Sequence, residues 1–265
     1  MNIVLMTGDH PRHAYIARCA AESGRLRGMI VESRETFVPA PPSDLRDATR
    51  ALFVRHFEDR SAAEQRFFGD DPRTIDDVET LRVTQQELNG PRVWEFLERM
   101  RPELLISYGV HKLDDRTLSQ APGLRWNIHG GLSPWYRGVA THFWPSYFLE
   151  PQMTGMTVHC LTQAIDGGDT VHQVTAKLVR GDGIHDLACR AVMGLGAELA
   201  ELFECGFRKK SVDPTPQGTT GRIWRNQDWR PEHLHLIYDL YRNRIVDSYL
   251  DSEFRQHEPK LIRAF

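Results

Sequence analysis

Short continuous apolar runs alternate with stretches of helical spacing through the first half of the chain. Ile3–Met6 predicts a buried strand and ends at the turn-forming Thr7-Gly8-Asp9-His10-Pro11. Tyr15, Ile16, Cys19 and Ala20 then share one helical face, and Gly24 stands where a left-handed helix cap is expected. Met29–Val31 predicts a second strand. After Pro39-Ala40-Pro41-Pro42 a charged helix is expected from about Ser43 to Asp70, with Glu58, Asp59 and Arg60 on a solvated face. Asn89 is placed to cap a further helix whose Val93, Trp94, Leu97 and Met100 point inward. Leu104–Ile106 and Leu124–Ile128 read as the next strands. Strands alternating with helices predict an α/β fold with a doubly wound, mostly parallel, Rossmann-like sheet.

The pattern changes after Thr154. Met156–Cys160 and Thr170–Val174 predict two strands around the turn Ile165-Asp166-Gly167-Gly168-Asp169, followed by a helix over about Ile184–Cys205. A last helix is expected with Leu234, Ile237, Tyr238, Tyr241 and Ile245 on one face. The division that follows is a catalytic domain over 1–206 and a C-terminal extension over 207–265 serving a homodimer or a substrate lobe. Trp224 and Trp229 suit either role, while Phe143, Trp144, Tyr147 and Phe148 read as core.

Composition narrows the function classes. The 265 residues are 40% hydrophobic and 26% charged, with a formal net charge of -3. That balance carries no basic excess for nucleic acid or an anionic membrane surface. The strongest apolar run, Leu104–Val110, is far below the ~20 residues of a membrane helix. The first residues hold no basic leader. Cysteines at 19, 160, 189 and 205 form no CxxC pair, so neither a disulfide framework nor a zinc site is expected, and a cytoplasmic setting fits. The first strand lacks GxGxxG, which leaves a dinucleotide cofactor unsupported.

In doubly wound sheets, ligands bind beyond the C-terminal strand ends. The densest polar cluster there is Asn127-Ile128-His129-Gly130-Gly131-Leu132-Ser133-Pro134-Trp135-Tyr136-Arg137-Gly138. Asn127 and His129 are two apart on a strand and share a face. An amide beside an imidazole can stabilise a carbonyl oxygen that gains charge. Asp166, in a glycine turn, could reach His129 and raise its pKa. Each residue alone also has an ordinary reading: an Asn holding a turn, a His bonded to backbone, an Asp-Gly turn.

The segment Asn127-Ile128-His129 with Leu132–Gly138 resembles the core signature of the formyltetrahydrofolate-dependent formyltransferases. Thr154–His159 followed by Asp166-Gly167-Gly168-Asp169 resembles their second signature. The likeness is strongest over 102–175 and includes glycinamide ribonucleotide, methionyl-tRNA and nucleotide-sugar enzymes. It implies Asn127, His129 and Asp166 as the catalytic trio, with N10-formyltetrahydrofolate as donor. It places Tyr108, Gly109 and Val110 at the pterin pocket, beside Ile165 and Gly167. It also implies that protonated His129 and Asn127 stabilise the oxyanion. Gly130 and Gly131 depart from the family's usual Pro and Ser and predict a more mobile loop.

His10, Arg12 and His13 stand at a helix start where an anionic group of the acceptor could bind, with Arg137 and Gly138 as further substrate contacts. His233 and His235 lack a third ligand and read as surface residues, so no metal is expected. The 43–70 helix and the C-terminal extension favour a nucleotide-linked amino sugar as the amine acceptor. Glycinamide ribonucleotide or another small amine is the alternative. A tRNA acceptor is disfavoured by the lack of a basic C-terminal domain. A formyltetrahydrofolate hydrolase would be expected to carry a regulatory domain before Ile3, and a non-catalytic folate-binding module would need the trio misplaced.

Overall fold

The computed structural model describes residues 2–34, 38–69, 75–207, 213–218 and 221–265. Its strands are β1 (Ile3–Thr7), β2 (Leu26–Glu32), β3 (Glu79–Val83), β4 (Leu104–Tyr108), β5 (Leu124–His129), β6 (Tyr136–Gly138), β7 (Gly155–Cys160), β8 (Thr170–Thr175) and β9 (Arg222–Trp224). Its helices are α1 (Pro11–Glu22), α2 (Asp47–Phe68), α3 (Pro91–Met100), α4 (Asp115–Ser119), α5 (Trp144–Tyr147), α6 (Ile184–Phe207) and α7 (Ile245–Leu250). The main sheet runs β3-β2-β1-β4-β5-β7-β8. Its first five strands are parallel, and β7 and β8 join antiparallel. The order reverses between β1 and β4, so the loops after these strands diverge and open a crevice. The doubly wound, mostly parallel α/β fold is therefore as the alternation of runs predicts.

Both faces of the sheet are covered. Ile3, Leu5, Leu104, Ile106, Trp126 and Ile128 pack with α1 and α6 on one side. Val4, Met6, Ile30 and Leu105 pack with Val93, Phe96 and Leu97 of α3 on the other. Gly24, at φ 68, ends α1 and donates its N–H to Ala21 O at 2.8 Å, a position a side chain would strain.

A third cluster joins α2 to the last part of the chain. Phe53, Leu132, Tyr136, Phe143 and Trp144 pack with Trp224, Leu234, Ile237, Tyr238 and Ile245. Near its end the chain returns to the edge of the main sheet, where Gln173 N donates to Ile262 O at 2.8 Å.

Several local expectations are corrected. Helix α2 starts at Asp47 and ends at Phe68; Asp70 lies outside the described residues. The N-cap of α3 is Gly90, because the Asn89 side chain is engaged elsewhere, with Lys112 O at 3.0 Å and Asp114 N at 2.9 Å. The expected C-terminal helix is broken into a π turn over Leu236–Leu240 and the separate α7. Arg242 and Asn243, at φ 52 and 58, leave helical geometry between them. Phe148 is 46% exposed although Phe143 and Trp144 are buried, so the expected aromatic core is only partly core.

Candidate active site

Three neighbouring strands set one polar row. Ser107 on β4 lies opposite Asn127 on β5, which lies opposite His159 on β7. Side chains alternate along a strand, so Trp126 and Ile128 enter the apolar core while Asn127 and His129 face the other way. Ser107 Oγ donates to Asn127 Oδ1 at 2.7 Å, and Asn127 Nδ2 donates to His159 Nε2 at 3.0 Å. His159 can accept because its Nδ1–H donates to Cys160 O at 2.9 Å. Asp166 closes the row, with Oδ1 3.5 Å from His159 Nε2 and Oδ2 3.4 Å from His129 Nδ1.

Short strand β6 holds the other side. Its Gly138 N–H donates to Asp166 Oδ2 at 2.8 Å, and its Tyr136 carbonyl accepts from His129 Nε2 at 2.8 Å. One three-residue strand thus fixes both the carboxylate and the imidazole. Asp166 sits at φ 44, in the left-handed region that Asp tolerates better than most residues.

The electrostatics separate the two groups. Asp166 is held down to about 2, because neighbouring His129 and His159 and the Gly138 N–H outweigh the burial that acts against its charge. His129 is buried, and burial pushes its pKa below the ordinary value even though Asp166 and the Tyr136 carbonyl act to raise it. The expectation that Asp166 keeps His129 protonated is therefore corrected: desolvation outweighs the carboxylate at 3.4 Å. The neutral ring carries its proton on Nε2, toward Tyr136, and presents an Nδ1 lone pair.

Gly131 stands where there is no room for a side chain. A Cβ on Gly131 would stand 2.5 Å from Tyr136 O and 2.8 Å from His129 Nε2. The carbonyl of Gly131 accepts from Thr157 Oγ1 at 2.7 Å, and that of Gly130 accepts from Thr141 Oγ1.

A cavity of about 710 Å³ borders the row. Asn127, His129 and Asp166 line it together with Tyr108, Gly109, Val110, Arg12, His13 and Gly138. Four other expected contacts do not border it. His10 stacks on His13, Arg137 turns its guanidinium to Gly221 O at 3.2 Å, Ile165 is 57% exposed, and Gly167 lies outside the lining. His13 is not a ready cation: burial drives its pKa well below normal, and its Nδ1 accepts from His10 N at 3.3 Å. Arg12 is bound to Glu64 at 2.7 Å.

Several cavity residues belong to none of the sequence motifs. His56, Arg60 and Glu64 stand four apart on α2, which puts them on one helix face. That spacing was the available signal, and it moves Arg60 from the expected solvated face into the cleft. From α6, His185 meets His56 at 3.2 Å. Burial lowers His56 to about 3. Ser107 and His159 also went unassigned, although strand alternation puts both on the Asn127 face. Among the described residues no group of three His, Cys, Asp or Glu is placed to hold a metal, and no helix is long and apolar enough to cross a membrane.

Fold and site together define a class: a Rossmann-like α/β protein with an amide, an imidazole and a carboxylate gathered beside a cleft at its strand ends. Comparison with known proteins names the family. The profile described as formyl transferase matches residues 55–193, just over half of the chain, and the chain belongs to that family. Solved structures share the fold at low identity. A phosphoribosylglycinamide formyltransferase from Anaplasma phagocytophilum is 16% identical with a TM-score of 0.54, over 84% of this chain and 97% of that one. The formyltransferase PseJ from Anoxybacillus kamchatkensis, solved with UDP-4,6-dideoxy-4-formamido-L-AltNAc and tetrahydrofolate, is 14% identical with a TM-score of 0.53, over 92% and 96%. An N-formyltransferase from Helicobacter canadensis, solved with folinic acid and dTDP-3-aminofucose, is 13% identical with a TM-score of 0.52, over 87% and 73%.

Proposed function

We propose that this chain moves a formyl group from N10-formyltetrahydrofolate to the amine of a nucleotide-linked amino sugar, using Asn127, His129 and Asp166. The observation that carries the reading is the convergence of these three side chains on one cavity of about 710 Å³. That volume is in the range of small-molecule sites. Two of the similar structures were solved with a folate and a nucleotide sugar, which supports the donor and acceptor classes.

The donor supplies an electrophilic carbonyl carbon, and the chain's residues act around it. Tyr108, Gly109, Val110 and Ile128 offer a largely apolar wall for a flat ring. Asn127 Nδ2 uses one N–H on His159 and retains a second for the formyl oxygen as it gains charge. His129 Nδ1 accepts a proton from the attacking amine as the new C–N bond forms, the Asp166 carboxylate stabilises the resulting imidazolium, and that proton passes to N10 as the C–N10 bond breaks and tetrahydrofolate leaves. The acceptor end is walled by His56 and Phe57 of α2, His185 of α6, Phe143, and Trp229. Its aromatic faces suit a nucleobase or a sugar ring.

The test is to supply the purified chain with N10-formyltetrahydrofolate and a panel of UDP- and dTDP-amino sugars, glycinamide ribonucleotide and simple amines. A product heavier by one formyl group on an amino-sugar nucleotide is the expected result. Formylation of glycinamide ribonucleotide alone would reassign the acceptor. Formate release without any amine would point to hydrolysis, and folate binding without turnover would remove the catalytic reading.

A further inference from the structure

Resting on the formyl-transfer reading of the cleft, we infer that His142 holds the acceptor's amine through Nδ1, taking the N–H that remains in the formamide product. The ring lines the cavity beside Gly130, where a Cβ would stand 3.1 Å from His142 Cε1. A backbone group fixes its tautomer. Nε2 lies 3.1 Å from the Gly155 carbonyl oxygen, which can only accept, so the proton sits on Nε2 and Nδ1 carries a lone pair. Burial lowers the ring's pKa to about 4, which keeps it neutral near pH 7. Nδ1 has no hydrogen-bond partner among the described residues, and the ring keeps part of its surface open to the cleft.

Its neighbours put this lone pair on the acceptor side of the reacting row. His129, Arg12 and Glu64 are close enough to act on the ring electrostatically, and Phe143, the next residue, belongs to the acceptor wall. A primary amine has two hydrogens and one lone pair to arrange. The lone pair must meet the formyl carbon, and one hydrogen goes to His129 Nδ1. The second stays on nitrogen throughout and needs an acceptor that takes no proton, which is what a neutral His142 with its Nε2–H committed to Gly155 offers. As the new C–N bond forms, the amine nitrogen gains positive charge and its remaining N–H becomes a better donor. The bond to His142 therefore strengthens toward the transition state instead of only aiding binding.

The test is a pair of substitutions in the full chain, read with the acceptor found in the panel. Gln places its side-chain nitrogen near the position of His Nε2, so His142→Gln keeps a donor for Gly155 and loses the acceptor at Nδ1. Asn places its side-chain oxygen near the position of Nδ1, so His142→Asn keeps the acceptor and gives up the bond to Gly155. His142→Gln is expected to lower kcat/KM for the amine about threefold to tenfold, the weight of one hydrogen bond, with the KM of the folate changed less than about twofold. His142→Asn should recover part of that loss. A residue that only supports the fold through Gly155 would give the opposite order. An Asn variant slower than the Gln variant, or a Gln variant with wild-type kcat/KM, would overturn the assignment. Nitrogen NMR of the wild type gives a second reading that needs no variant. The His142 Nδ1 resonance should move when the acceptor is added to the chain saturated with tetrahydrofolate, and an unmoved resonance at saturating acceptor would refute the contact. A wild-type chain that formylates no amine removes the formyl-transfer reading itself, whereas an active wild type with the wrong order of variants removes only the role of His142.

Discussion

Acidification should destabilise this protein before its carboxylates titrate, because its cleft is built from neutral histidines. Burial lowers His56 to about 3 and His142 to about 4, and it also lowers His13, His129 and His185. An unfolded histidine titrates near ~6.5. The sign follows: below that value the unfolded chain binds protons that the folded chain refuses. Stability is therefore full above about pH 6.5 and falls as the pH drops toward the folded values. At pH 5 the linkage amounts to about 2 kcal/mol for His56, with a similar upper bound for half-buried His142. About 3–4 kcal/mol is a large part of a typical ~5–15 kcal/mol domain stability. Asp166, at about 2, protects the fold above the ordinary carboxylate range and does not contribute to this window. Urea unfolding at pH 7.5 and pH 5.0 gives the difference directly, and His56→Asn should reduce the pH 5 loss by about 2 kcal/mol. Equal stability at the two pH values, or an unchanged slope in His56→Asn, would refute the reasoning.

Three further outcomes are expected. Removing a preorganised donor by Asn127→Ala should cut kcat about 100-fold to 1,000-fold with the thermal midpoint little changed; single-turnover formyl transfer and a melting curve check it together. Asp166→Asn should lower kcat and move the acid limb of kcat/KM to lower pH, since the carboxylate acts to raise the His129 pKa; an acid limb that moves up would contradict this. Glu64→Gln should destabilise the fold by about 1–3 kcal/mol, because it removes the buried carboxylate shared by the half-buried Arg12 and Arg60; chemical denaturation measures it.

Much of the fold was legible because long periodic segments carry their own signal. Strands β1 and β4 are largely apolar runs, β5 alternates apolar with polar residues, and α6 follows from its apolar spacing. Strand β3 was not, since Glu79-Thr80-Leu81-Arg82-Val83 is an edge strand with only Val83 buried. Strands β6 and β9 are three residues each, too short for any period. Asn127, His129 and Asp166 were legible as a set of motifs, but not the means of holding them. The Tyr136 carbonyl and Gly138 N–H are backbone groups, and no residue type announces what a backbone group will bond. The protonation of His129 was misread for a related reason. A sequence shows that a carboxylate can approach, but the depth of burial opposing it is a property of the packed fold.

That burial changes the logic of the site. A histidine charged in the resting enzyme would already be satisfied by Asp166, and its attraction to the carboxylate would be the same before and during reaction. In the proposed transfer a neutral His129 beside an ionised Asp166 is different: their attraction would grow as the amine's proton arrived on Nδ1. An interaction that strengthens along the reaction lowers the barrier, whereas one present throughout only aids binding. The Tyr136 carbonyl adds to this by occupying Nε2–H, so that the incoming proton has one nitrogen to go to. Once substrates exclude water from the cleft, the ion pair formed there is worth more than it would be in bulk solvent. On this account β6 matters as much as the trio, since three residues of backbone decide the tautomer of the base and the place of its counter-ion.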